Sequence, residues 1–166
     1  MSSLPDIHFV GAGPGDPELI TVKGARLLNE AEVVVFAGSL VNRAILTAHC
    51  PSAEVHDSAG MTMEEVIGVM AGAVAAGRRV VRLHTGDPAL YGAIQEQMAE
   101  LDRLGITYAV VPGVTSASAA AAALRQELTL PELSQTLVLT RLAGRTPVPE
   151  RERLSAIARI GATVAI

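Results

Sequence analysis

Phe9-Val10-Gly11-Ala12-Gly13-Pro14-Gly15-Asp16-Pro17-Glu18-Leu19-Ile20-Thr21 sends an apolar run directly into a loop that is almost all backbone. Gly11, Gly13 and Gly15 carry no side chain to hold a neighbour off, while Pro14 and Pro17 keep the segment from continuing as a helix. The loop is open and stiff. It suits either the close approach of a ligand or a tight strand-to-helix turn. A dinucleotide fold asks for Gly-x-Gly-x-x-Gly, but here Asp16 follows Gly15 and Pro14 interrupts the motif, so a carboxylate stands where a pyrophosphate would lie. That pattern argues against NAD or FAD.

Two later runs end in the same way. Arg79-Val80-Val81-Arg82-Leu83 leads into His84-Thr85-Gly86-Asp87-Pro88-Ala89-Leu90-Tyr91-Gly92, and Tyr108-Ala109-Val110-Val111 leads into Pro112-Gly113-Val114-Thr115-Ser116. Strands are predicted at 7–10, 33–36, 54–56, 79–83 and 108–111. Helices are predicted at 22–30 behind the cap Thr21, up to about 49, at 62–76 behind the capping box Thr62-Met63-Glu64-Glu65, at 93–104 and at 116–124. The Ala-rich stretch 117–124 reads as a buried helix. Strands that are continuous apolar runs, alternating with helices, specify an α/β fold with a mainly parallel sheet covered by helices. In such a sheet the loops after the strands line one edge, so the three glycine-rich loops would converge on one crevice.

Residues 1–130 read as an N-terminal α/β domain. Beyond them the character changes to a strand at 136–140, a helix at 149–160 with Pro149 in its first turn, and a strand opening at 163. Residues 131–166 therefore read as the incomplete beginning of a second α/β domain. Its uncovered strands predict an oligomeric or aggregation-prone chain.

Composition narrows the function classes. Hydrophobic residues make up 49% of the 166, yet aromatics only 2%, so the core must be built from Ala, Val, Leu and Ile. A net charge of -4 leaves no overall basic field for a phosphate backbone, and a nucleic-acid partner is not expected. The single cysteine, Cys50, forms no internal disulfide, the first residues lack a basic-then-apolar leader, and no apolar run approaches the roughly 18 residues of a membrane span. These features predict a cytoplasmic protein with no membrane partner. His8, His49, His56 and His84 are scattered without zinc spacing, and no metal site is expected.

The run from Gly11 to Pro17 with Leu19-Ile20-Thr21 and Gly24, then Gly86-Asp87-Pro88 with Tyr91-Gly92, then Val111-Pro112-Gly113-Val114-Thr115-Ser116, together resemble the S-adenosylmethionine-dependent tetrapyrrole methylases of cobalamin and sirohaem biosynthesis. Within that family, Ala37-Gly38-Ser39-Leu40-Val41, Thr129-Leu130-Pro131-Glu132, Ser134-Gln135-Thr136 and Thr140-Arg141 look most like the branch that methylates C11 of precorrin-4 to give precorrin-5. The resemblance implies a two-domain homodimer that binds S-adenosyl-L-methionine between its domains and takes a tetrapyrrole substrate. Carried over position by position, it makes Pro14, Thr85, Gly86, Asp87, Leu90, Thr115 and Ser116 the cofactor-binding set. It also implies that further cofactor contacts lie beyond Ile166.

Methyl transfer from a sulfonium is an in-line displacement in which fixed geometry alone can supply roughly 7 kcal/mol, so no nucleophile and base pair is required. Asp87 is the candidate catalytic carboxylate, or else a cap that fixes its own loop; Asp16 reads as a turn cap. Lys23, Arg43 and Arg141 are candidates for holding substrate carboxylates, against plain surface charges. Ser39 either donates a hydrogen bond to substrate or serves its turn, and His84 either touches ligand or packs at a strand end. The alternatives are another tetrapyrrole methylase, acting on cobalt-precorrin-4 or uroporphyrinogen III, a nucleotide-dependent oxidoreductase, or a non-catalytic ligand-binding domain.

Overall fold

The computed structural model describes residues 5–144 and 146–166. By its contacts the chain divides into two units, Met1–Ser116 and Ala117–Ile166.

In the first unit the strands are β1 (Ile7–Gly11), β2 (Val33–Phe36), β3 (Glu54–Asp57), β4 (Val80–His84) and β5 (Tyr108–Val111), and the helices are α1 (Val22–Glu30), α2 (Arg43–His49), α3 (Met63–Ala75) and α4 (Ile94–Leu104). The five strands form one sheet in the order β3-β2-β4-β1-β5, with every neighbouring pair parallel. Every residue of β2 and β4 is buried, as expected when helices cover both faces; β2 is a continuous apolar run, while β4 includes the polar Arg82 and His84. On one face Val10, Val34, Val81 and Leu83 pack with Leu27 and Leu28 of α1 and Ile45 of α2. On the other, Ile7, Phe9, Val33, Val35 and Val80 pack with Val66, Ile67 and Met70 of α3 and Leu101 of α4.

Local signals start and stop the helices. The Thr21 side chain accepts from Gly24 N at 3.1 Å, and Asn42 accepts from Ala44 N at 3.0 Å to open α2. At α3 both halves of the capping box form: Glu65 N donates to Thr62 Oγ1 at 3.2 Å and Thr62 N to Glu65 Oε2 at 2.7 Å. Helix α4 has no side-chain cap and begins after Ala93, a residue in the left-handed region at φ 48.

The second unit contains helix α5, which spans Ser116–Leu124 from the last residue of the first unit, the parallel pair β6 (Leu137–Leu139) and β7 (Thr163–Ala165), and helix α6 (Leu154–Ile157). Two expectations are corrected. Helix α5 contains no buried residue, because Ser and Ala carry too little apolar area to gather a core of their own. The helix expected over 149–160 is broken into a 3-10 turn at Glu150–Glu152, α6, and a second 3-10 turn at Ala158–Ile160. Arg153 is extended at ψ 144 between the first two pieces. In α6 only Ile157 is buried, so there is no apolar face to reward continuous winding. By contacts α5 falls mainly in the second unit, whereas the sequence pattern groups it with residues 1–130.

The capping box gives a direct test. Thr62→Ala should lower stability by about 1 kcal/mol, read as an earlier denaturant midpoint with an unchanged slope.

Candidate functional site at the carboxyl edge of the sheet

Because β4, β1 and β5 are neighbours, the three glycine-rich loops that follow them meet. Gly13 and Gly86 form a two-way bridge, Gly13 N to Gly86 O at 3.2 Å and Gly86 N to Gly13 O at 2.8 Å, and Ala12 N donates to His84 O at 2.7 Å. A Cβ on Gly11 would stand 2.6 Å from both Gly113 Cα and Gly86 O, and one on Gly113 would run into the Gly86 carbonyl. The close approach that the glycines permit is therefore, at Gly11 and Gly113, that of one loop backbone to another. Gly86 differs. Its φ of +57 lies in the left-handed region, and the nearest atoms to its missing Cβ, Val114 O, Thr115 Cα and Ser116 N, are 3.9 to 4.0 Å away. Gly86 is buried, and a Cβ there would meet its neighbours at ordinary contact distance, so what demands glycine is the left-handed backbone rather than a close approach.

Asp87 engages backbone with both carboxylate oxygens. Oδ1 accepts from Ala89 N at 2.8 Å and Oδ2 from Gly113 N at 2.9 Å, so this side chain ties the loop after β4 to the loop after β5. Asp16 Oδ1 accepts from Glu18 N at 2.9 Å and caps the 3-10 turn Pro17–Leu19. Pro14, Thr85 and Thr115 are half-buried and Leu90 is 38% exposed on these three loops, and Ser116, the first residue of α5, is exposed at the end of the third. The loop after β4 is also strained: Tyr91 (φ 57) and Ala93 (φ 48) are non-glycine residues in the left-handed region, each costing on the order of 1 kcal/mol.

The candidates for substrate contact scatter more widely. Ser39 is exposed in the connection after β2, Lys23 is exposed in the first turn of α1, and Arg43 reaches Asp57 Oδ2 at 3.4 Å while lying 5.6 Å from the Phe36 ring centroid. Arg141, in the second unit, donates to the carbonyls of Leu142, Thr146 and Pro147 and so holds its own loop. Asp57 is an organiser that sequence patterns miss. Its Oδ1 accepts from Gly38 N and Ala59 N, both at 3.0 Å, and a Cβ on Gly38 would collide with that carboxylate. Its bond to Ala59 N is a local cap, but no motif marks its hold on Gly38, which lies on the loop after β2. Asn42 is a second case, donating to Gly15 O at 2.9 Å and pinning the first glycine loop to α2.

Behind the loops β4 carries two buried polar residues on one face. Arg82 is 6% exposed and His84 5%. Burial lowers the Arg82 guanidinium to about 10, and burial, then the charge of Arg82, lowers His84 to about 3. His84 packs against Phe9 at 5.9 Å between ring centroids, and its Nε2 has no partner. It is a neutral strand-end residue in the folded state. Among the described residues, no group of three or more His, Cys, Asp or Glu could hold a metal ion, and no helix is long and apolar enough to cross a membrane.

Comparison with known proteins meets this geometry. The family model for tetrapyrrole (corrin/porphyrin) methylases matches residues 6–166. The chain belongs to this family. It is 55% identical over its whole length to a cobalt-precorrin-4 C(11)-methyltransferase of Methanocaldococcus jannaschii and 54% identical over 96% of its length to one from Priestia megaterium, covering 64% and 62% of those proteins. It also resembles the X-ray structure of a cobalt precorrin-4 methyltransferase, with a TM-score of 0.90 and 54% identity, over 95% of this chain and 66% of that one. A Thermus thermophilus uroporphyrin-III C-methyltransferase complexed with S-adenosyl homocysteine superposes with a TM-score of 0.70 and 33% identity, over 87% of this chain and 59% of that one. The chain thus spans less than two thirds of the relatives it matches, and like them it folds as a mainly parallel α/β methylase.

Two measurements test the local geometry. Gly113→Ala should cost roughly 2 kcal/mol, because the loops must part to admit the methyl group, whereas Gly72→Ala on the open face of α3 should add about 1 kcal/mol; denaturant unfolding of both gives the two signs. His84 binds its proton near 6.5 when unfolded and near 3 when folded, so the unfolded chain carries the extra proton between those values and stability falls on acidification through that window. Between pH 7 and pH 5 this one group accounts for roughly 2 kcal/mol. His84→Phe should flatten the loss by that amount in paired thermal melts.

Proposed function

We propose that the protein transfers a methyl group from S-adenosyl-L-methionine to C11 of precorrin-4, giving precorrin-5. The observation that carries this reading is the likeness to cobalt-precorrin-4 C11-methyltransferases at 54–55% identity, which runs through all three converging loops. The residues present fit such a cofactor: the three loops that meet at this edge carry an exposed apolar side chain, Leu90, and an exposed hydroxyl, Ser116, with Pro14, Thr85 and Thr115 half-buried between them. When bound, the cofactor supplies an activated methyl group on a sulfonium that is already a leaving group.

The chain's own part is then to hold and orient. Pro14, Thr85, Gly86, Leu90, Thr115 and Ser116 form the cofactor wall, and Asp87 keeps two loops of that wall in register through its two backbone acceptors. With both oxygens engaged, Asp87 serves this reading as a brace rather than as the proton acceptor. Ser39 lies in the connection after β2, and Lys23 and Arg43 in the first turns of α1 and α2, where cations and donors suit the carboxylates of a reduced tetrapyrrole. The guanidinium of Arg141 is committed to three carbonyls and contributes least. A cytoplasmic homodimer completes the reading. Relatives carry both the cobalt and the metal-free name, and cobalt-precorrin-4 is the second substrate to try.

Calorimetric titration of the intact protein with S-adenosylhomocysteine should give a saturable heat, and incubation with S-adenosylmethionine and precorrin-4, with and without cobalt, should give a product heavier by one methyl group in mass spectrometry. Saturable binding with no methylated product from either substrate would reduce the protein to a binding module. No binding at all would remove the methylase reading.

A further inference from the structure

Arg82 is an anomaly in the core. It sits in the middle of the central strand β4, buried among apolar side chains, and among the described residues no carboxylate lies within ion-pair distance. Its contacts are neutral: Nε donates to Gln97 Oε1 at 3.0 Å and Nη1 to Val35 O at 3.2 Å. A buried cation with only neutral partners is desolvated without an ion pair in return, and a well-packed apolar side chain would serve the core at least as well.

Gln97 is buried too, at 4% exposure, on the inner face of α4. While its Oε1 accepts from Arg82, its Nε2 donates to the carbonyl of Ala93 at 3.1 Å. Ala93 is the uncapped entry to α4 and one of the two left-handed non-glycine residues in the loop that carries Gly86, Asp87 and Leu90. Such a conformation persists only where its surroundings over-determine it. The loop itself supplies restraints: Asp87 O accepts from Leu90 N at 3.1 Å, and Gly92 lies so close to the Pro88 carbonyl that no Cβ fits between. The core supplies another through Gln97.

We propose that Arg82 and Gln97 are positioning residues, which act through the Ala93 carbonyl to hold the Tyr91-Gly92-Ala93 turn and thereby set the loop carrying Gly86, Asp87 and Leu90 for its ligand. The guanidinium fixes the rotamer of Gln97, the amide of Gln97 fixes Ala93, and the strained turn follows. This rests on the reading of that loop as part of the S-adenosylmethionine site.

Two variants separate a positioning role from a structural one. Gln97→Glu keeps an oxygen for Arg82 and adds a charge partner, yet loses the N–H that holds Ala93 O. Arg82→Met/Gln97→Leu removes both polar side chains together, which leaves neither a buried cation nor a buried amide without its partner while it frees the Ala93 carbonyl. Thermal midpoints and S-adenosylhomocysteine titrations are measured on each. The expected result is a melting point within a few degrees of the parent and a Kd raised by about fivefold or more, in line with what coupled residues outside a site contribute. Only a replacement that retains a donor should substitute for Gln97, so Gln97→His, which offers a ring N–H, should recover part of the affinity if its fold is retained. A Kd changed by less than about fivefold in both stable variants overturns the proposal. So does unfolding of both, since the pair would then carry the fold rather than the loop. If the parent protein itself fails to bind the probe, it is the methylase reading that falls.

Discussion

Three backbones pass within contact distance at Gly11, Gly86 and Gly113, and the geometry of the sheet edge depends on that contact. The order β3-β2-β4-β1-β5 brings three strand ends side by side, but side-by-side strands do not by themselves make their loops touch. Contact needs glycine at Gly11 and Gly113, where a Cβ would fall on the neighbouring chain, and it needs the Gly13–Gly86 bridge to fasten the pair. Asp87 then closes the remaining gap by accepting from Gly113 N. Backbone-to-backbone contact of this kind leaves little freedom to any loop alone, so a ligand at this edge would meet a surface already in place.

The interior is built in two materials. On the face covered by α1 and α2 the packing is aliphatic with Phe36, while the face covered by α3 and α4 also contains Arg82, His84 and Gln97. Those polar groups lie beneath the strained loop rather than at random in the core. His84 stays neutral because burial and the charge of Arg82 both oppose its proton, and its main-chain carbonyl meanwhile receives Ala12 N from the first glycine loop. The cost of two buried nitrogen-rich side chains is offset by an otherwise continuous apolar core, in which β2 is buried along its whole length.

Much of this was legible in the sequence, and the reasons differ from element to element. The parallel sheet follows from strands such as Val33-Val34-Val35-Phe36, too uniformly apolar to face water on either side. The start of α3 follows from Thr62 and Glu65, whose reciprocal bonds need only local chain. Local signals fail where the partner is remote. Asp57 and Asn42 are unremarkable residues until the fold carries Gly38 and Gly15 to them. Arg141 reads as a free cation until its carbonyls are known. The break in the helix expected over 149–160 is the opposite failure, a good composition with nothing to pack against except through Ile157.

Glycine motifs are commonly read as ligand contacts because they leave room, yet the room at Gly11 and Gly113 is already filled by protein. Gly86 alone of the three is glycine for its left-handed backbone, and a β-branched residue there would suffer from its φ as well as crowd the buried junction of the loops. A variant at Gly86 therefore confounds fold and function, whereas at Gln97 the two can be separated by changing Arg82 with it, since its link to the loop is one side-chain N–H to one carbonyl. For a reaction whose barrier is lowered chiefly by placement, it is such indirect braces, and not reactive side chains, that distinguish a loop of the right composition from a loop in the right place.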